Sequence, residues 1–101
     1  MKKITVLQVK KKLSLVLDPE LGISVVDLGL IYKISIKNNH IHILMTLTSI
    51  GCPLYQVIED EMKASVSQLG IDKKDISIEL TFDPPWSMEL VSPSGRAYLG
   101  W

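Results

Sequence analysis

Between Leu30 and Leu47 apolar and polar residues alternate on either side of Asn38-Asn39, and this pattern constrains the fold more than any other feature. Asparagine tolerates positive φ, as a two-residue hairpin turn requires. With those two residues as the turn, Ile36 faces Ile41, Ile34 faces Ile43, Tyr32 faces Met45 and Leu30 faces Leu47. All four pairs fall on one face, while Lys37 with His40 and Ser35 with His42 fall on the other. A slip of one residue would scatter this sorting, so the register is well specified.

The flanks supply helices. Thr5 and Gln8 have capping-box spacing, and behind them Val6, Val9, Leu13, Val16 and Leu17 recur at helical intervals up to Pro19, which stops the helix. Lys10-Lys11-Lys12 then reads as a solvated helix face. After the hairpin, Pro53 suits a first helical position, Leu54, Ile58, Met62 and Leu69 repeat at helical spacing, and Gly70 can close the end. Glu59-Asp60-Glu61 is the expected wet side of that helix. Ile76, Ile78, Leu80 and Phe82 alternate with polar residues as a third strand, ended by Pro84-Pro85. Ser87 can cap a short helix through Val91, and Pro93-Ser94-Gly95 is expected to break the chain before a last turn at Arg96–Leu99. The fold class is therefore α/β, of the two-layer α+β kind: an α-β-β-α-β core with a helical C-terminal tail and one sheet face covered by helices. The crossover from strand two to strand three should be right-handed.

Composition narrows the function. A chain of 101 residues supports a single domain, 1–101. Eleven basic and eleven acidic side chains balance to zero, which argues against a nucleic-acid binder. One cysteine cannot form an internal disulfide and fits a reducing, cytoplasmic compartment. Met1-Lys2-Lys3 begins like a signal peptide, but Lys10-Lys11-Lys12 interrupts the apolar stretch behind it. No apolar run approaches the roughly 18 residues a membrane span needs.

Chemistry concentrates at that one thiol. Thr46, Thr48 and Ser49 lead into Ile50-Gly51, and Cys52 precedes Pro53 as the expected N-cap of the second helix. A helix N-terminus presents unsatisfied amides and partial positive charge, which stabilise a thiolate, the nucleophilic and metal-binding form. Position alone leaves two readings open, an activated thiol or a buried, inert cysteine. A cysteine–histidine dyad fails on distance, because His40 and His42 lie by the turn and strand two carries the chain roughly 20 Å away from them, at about 3.3 Å per residue. The two histidines share a side and could hold a metal loosely, but they read better as exposed strand residues. Near the first loop, Asp18 can order a turn before Pro19, Glu20 can be solvated, and Asp27 can steady the backbone ahead of Gly29. Trp86 reads as a packing anchor.

Four fragments in series then match one family. Asp18-Pro19-Glu20-Leu21-Gly22-Ile23, Val26-Asp27-Leu28-Gly29-Leu30-Ile31-Tyr32, Thr46-Leu47-Thr48-Ser49-Ile50-Gly51-Cys52-Pro53 and Pro84-Pro85-Trp86-Ser87 together resemble the metal–sulfur cluster assembly family. That family includes SufT-like maturation factors, PaaD-like accessory proteins of a phenylacetyl-CoA ring oxygenase and a eukaryotic cytosolic iron–sulfur targeting subunit. The resemblance covers essentially the whole chain. It implies an α/β domain whose acidic loop maps onto Asp18 and Glu20, whose threonine turn maps onto Thr48 and Ser49 beside Gly51, and whose reactive cysteine maps onto Cys52. Ile50 stands where many relatives have proline, a departure expected to change turn stiffness more than chemistry. The extra amino-terminal domain of longer members has no counterpart, so their functions do not carry over.

The resemblance implies a non-enzymatic role in iron–sulfur cluster assembly, by transfer or targeting of a cluster to apo-proteins. Stable ligation normally takes four thiolates. One chain offers one and a symmetric homodimer two, so iron or an iron–sulfur cluster would be met transiently at Cys52, with Asp18 or Glu20 as oxygen ligands or proton acceptors. Expected partners are an iron–sulfur scaffold and apo-clients, with a homodimer left open. The alternative is an adaptor, or a PaaD-like oxygenase accessory without cluster chemistry, docking clients through Pro84–Trp86. The element order overlaps with KH-type RNA modules, but no Gly-x-x-Gly is present and RNA binding is not expected.

Overall fold

The computed structural model describes residues 4–18, 21–47 and 55–100. Helix α1 spans Val6–Leu13, strand β1 Ile31–Lys37, β2 His40–Met45, helix α2 Tyr55–Ser67, β3 Ile76–Leu80 and α3 Pro93–Leu99, with short 3-10 turns at Lys73–Asp75 and Met88–Leu90. The expected capping box starts α1. The Gln8 amide donates to Thr5 Oγ1 at 3.2 Å and the Thr5 amide to Gln8 Oε1 at 2.9 Å.

The sheet order is β1-β2-β3, with β1 antiparallel and β3 parallel to β2. Helix α1 packs on α2 and β1, and α2 on β3, so both helices lie against the sheet. Ile41, Ile43 and Met45 of β2 meet Val9 and Leu13 of α1 and Ile58, Met62 and Val66 of α2 in one core cluster, all of them essentially inaccessible to solvent. Burying each such side chain contributes about 1.5–3 kcal/mol, which makes this layer contact the main source of stability. Among the described residues no helix is long and apolar enough to cross a membrane.

The hairpin register holds at the turn end. Ile36 pairs with Ile41, Ile34 with Ile43 and Lys37 with His40, and both Asn38 and Asn39 have positive φ. It shifts further along: Ile31, not Tyr32, pairs with Met45, because β1 carries an extra residue between Ile31 and Lys33. Such a bulge re-aims a side chain. Here Tyr32 donates its hydroxyl to the Pro84 carbonyl at 2.7 Å. The Leu30 carbonyl accordingly accepts from the Thr46 amide at 2.8 Å rather than Leu30 standing opposite Leu47.

Three helix or strand ends differ from expectation. Helix α1 stops at Leu13, four residues short of Leu17, where the Ser14 hydroxyl donates to the Lys11 carbonyl at 2.6 Å. Beyond it the Val16 carbonyl accepts from Val25 at 3.0 Å and Asp18 donates to Ile23 at 2.8 Å, a small antiparallel ladder that outcompetes helix continuation and leaves Leu17 half exposed. Strand β3 ends at Leu80, before Phe82, because the Thr81 hydroxyl accepts from the Asp83 amide at 3.2 Å and turns the chain. At the tail, Pro93-Ser94-Gly95 does not break the chain but begins α3: Ser92 is the N-cap, accepting from the Gly95 amide at 3.0 Å, with Pro93 at the first helical position. Within α2, Glu59 is half-buried rather than fully wet, held by Lys63 at 3.2 Å.

Candidate functional site

The first loop is built around Asp18, which is nearly buried at 8% exposure. Its Oδ1 accepts from the Leu21 amide at 3.1 Å and its carbonyl from the Gly22 amide at 2.8 Å. A carboxylate capping the amides just ahead of it is the turn-forming behaviour expected of Asp before Pro. These contacts tie Asp18 to Leu21 and Gly22, while Pro19 and Glu20 between them lie outside the described residues.

Asp27 plays a second structural part. Its amide donates to Ser24 Oγ at 3.0 Å, its Oδ1 accepts from Ser92 Oγ at 3.0 Å and its carbonyl accepts from the Ser92 amide at 2.8 Å. Asp27 therefore clamps the start of α3, in addition to lying ahead of Gly29. Next to it, Gly29 has φ of +76°, and a Cβ there would lie 2.2 Å from the Leu90 carbonyl oxygen. The Trp86 indole donates to the Leu28 carbonyl at 2.6 Å while its ring packs on the core, so Trp86 is the expected anchor.

Cys52, Thr48, Ser49 and Gly51 lie outside the described residues, as do the N-cap expected at Cys52 and the first helical position expected at Pro53. The chain on either side is described. Thr46 follows the end of β2 fully buried, and among the described residues its hydroxyl has no hydrogen-bond partner. Sequence patterning marks Thr46 only as a residue entering the turn and carries no signal of this. At the start of α2, burial pushes the Tyr55 phenol up to about 12 from its usual 10, and the Glu59 carboxylate adds to the shift by charge and by hydrogen bonding. Tyr55 is therefore a neutral phenol at any physiological pH.

The histidines have partners on β3. His40 Nε2 lies 2.7 Å from Ser77 Oγ, and His42 Nε2 lies 3.0 Å from Glu79 Oε1. Among the described residues no group of three or more His, Cys, Asp or Glu side chains could hold a metal ion.

Residues 7–83 match the family described as "Iron-sulfur cluster assembly protein". The chain belongs to that family. Within it, the Fe–S protein maturation auxiliary factor YitW of Bacillus subtilis (strain 168) is 41% identical over 86 residues, covering 84% of this chain and 83% of the relative. The Fe–S protein maturation auxiliary factor SufT of Staphylococcus aureus (strain USA300) is 36% identical over 87 residues, covering 85% and 98%. The crystal structure of a domain of unknown function from Bacillus anthracis superposes with a TM-score of 0.86 at 36% identity, over 92% of this chain and 89% of that one. The family match takes in the Asp18–Gly22 loop, the hairpin and the stretch through Cys52.

Proposed function

We propose that this chain is an Fe–S protein maturation auxiliary factor that meets iron or an iron–sulfur cluster as cargo and helps deliver it to apo-proteins, with the Cys52 thiolate as the contact. The observation that carries the reading is the family match over residues 7–83, together with relatives of 36% and 41% identity that are described as such factors and not as enzymes. Supporting it is the chemistry of a cysteine ahead of a helix, where amides and the helix dipole favour the thiolate. One thiol is also too few to hold a cluster permanently, which suits a factor that must release its cargo. Asp18 already gives one carboxylate oxygen to the Leu21 amide, so in this reading it shapes the loop and Glu20 is the carboxylate offered as oxygen ligand or proton acceptor. The partners are then an iron–sulfur scaffold on one side and apo-clients on the other.

The adaptor alternative draws on Pro84–Trp86, where Pro84 and Pro85 are exposed and Trp86 is partly buried. Trp86 and the Pro84 carbonyl are both held by the fold, through Leu28 and Tyr32.

The test is Cys52→Ser in a strain lacking the protein. The variant should match the parent in circular dichroism and thermal unfolding, yet fail to restore the activity of iron–sulfur enzymes. Full restoration would remove the thiol from the mechanism.

A further inference from the structure

Strand β1 forms one edge of the sheet, and among the described residues nothing pairs with its far side. In a hairpin closed by two residues, the pair flanking the turn exchanges both ladder hydrogen bonds and alternate pairs follow suit. Lys37–His40 and Ser35–His42 are then the bonded pairs, so the amides and carbonyls of Ile34 and Ile36 point away from β2. No hydrogen bond from elsewhere in the described residues reaches them.

The side chains along this edge are also incompletely covered. On the core face Ile31, Ile34 and Ile36 stay partly exposed while Ile41, Ile43 and Met45 beside them on β2 are fully buried, and Val6 of α1, 47% exposed, lines a groove with Ile31 and Ile34 that Lys10 and Asp83 also border. On the opposite face the edge carries Lys33 and Lys37, both exposed. An edge with an apolar side, a cationic side and free backbone groups between them specifies an extended chain, apolar on one face and acidic on the other.

We propose that the β1 edge takes up an extended segment of another protein as a fourth strand, its apolar side chains packing against Val6 and Ile34 and its carboxylates meeting Lys33 and Lys37. A second copy of this chain is a poor occupant. Antiparallel pairing of two β1 strands about Ile34 keeps apolar on apolar but gathers four lysines, two per copy, on one face at diagonal spacings of roughly 7–8 Å. That repulsion is the usual protection against self-pairing, and an acidic strand relieves it.

The proposal does not involve Cys52, so its failure would leave the complementation experiment above intact. The probe is a capped seven-residue peptide alternating valine and glutamate, fluorescently labelled and titrated into the full chain. Binding should slow hydrogen exchange of the Ile34 and Ile36 amides by more than about tenfold. A valine–lysine peptide should bind about tenfold more weakly, and the double variant Lys33→Glu, Lys37→Glu should reverse that preference. The same peptide N-methylated at alternate residues, unable to complete the ladder, should not bind. The proposal is overturned if the glutamate peptide fails to bind, or binds without protecting those two amides. It is equally overturned if the double variant keeps its preference for glutamate, or if the free chain self-associates with the same amides protected.

Discussion

At Gly29 a single missing atom lets two segments touch. With φ at +76° and the Leu90 carbonyl oxygen 2.2 Å from where a Cβ would sit, Gly29→Ala adds an unfavourable backbone conformation to an overlap with backbone that has nowhere to go. Gly70 has φ of +96° and open space around it, so Gly70→Ala incurs only the backbone part. Urea unfolding should find Gly29→Ala destabilised by about 2–4 kcal/mol and Gly70→Ala by about 1 kcal/mol. Equal losses would mean that the close approach to Leu90 is unimportant. Tyr55 gives a second test at this scale. Its phenol binds its proton more tightly folded than unfolded, so the associated stability is complete below pH 10 and is lost as pH rises towards about 12. Ultraviolet titration should show the Tyr55 phenol ionising near pH 12, and Glu59→Gln should lower its midpoint. Little of this was readable beforehand: the sequence places Gly29 after Asp27, but the neighbour that makes glycine necessary comes from a segment sixty residues on.

Among the elements, α1, the hairpin and α2 were legible because their signals are local. The Thr5/Gln8 box, the alternation around Asn38-Asn39 and the Ile58–Met62 repeat each need no distant partner. The bulge at Tyr32 was not legible, since its cause is a carbonyl at Pro84, and neither was the end of α1, decided by pairing with residues 23–25. Helix α3 is different. Ser92-Pro93 carries the ordinary start signal of a serine cap before proline, but Gly95 so close behind is also a break signal. Gly95 is buried instead, with a would-be Cβ 2.9 Å from Val91, which explains why a small residue sits in a helix. The clamp between Asp27 and Ser92 then predicts a coupling. Ser92→Ala and Asp27→Ala should each cost about 1 kcal/mol, and the double variant should fall short of their sum by at least about 0.5 kcal/mol. Strict additivity in denaturant unfolding would show the two residues acting separately.

For the molecule as a whole, the family and the layer architecture were visible in sequence because both are spread over the chain, whereas the proposed site draws on residues 48–52 and on the segment from Asp18 to Gly22, most of them outside the described residues. Of the site residues expected, Asp18 is described, and its carboxylate accepts from the Leu21 amide. The ligand arithmetic therefore rests on one sulfur and few oxygens. A [4Fe–4S] cluster asks for four thiolates, so a chain that supplies one leaves three positions to partners or to a small thiol. Anaerobic reconstitution with iron and sulfide, followed by desalting, should leave much less than one cluster per chain. Adding a small-molecule thiol should raise occupancy, because it completes the coordination that the protein lacks, and Cys52→Ser should remove the gain. Retention of a full cluster by the protein alone would contradict delivery from a single thiolate, since a cluster so held would resist transfer to a client.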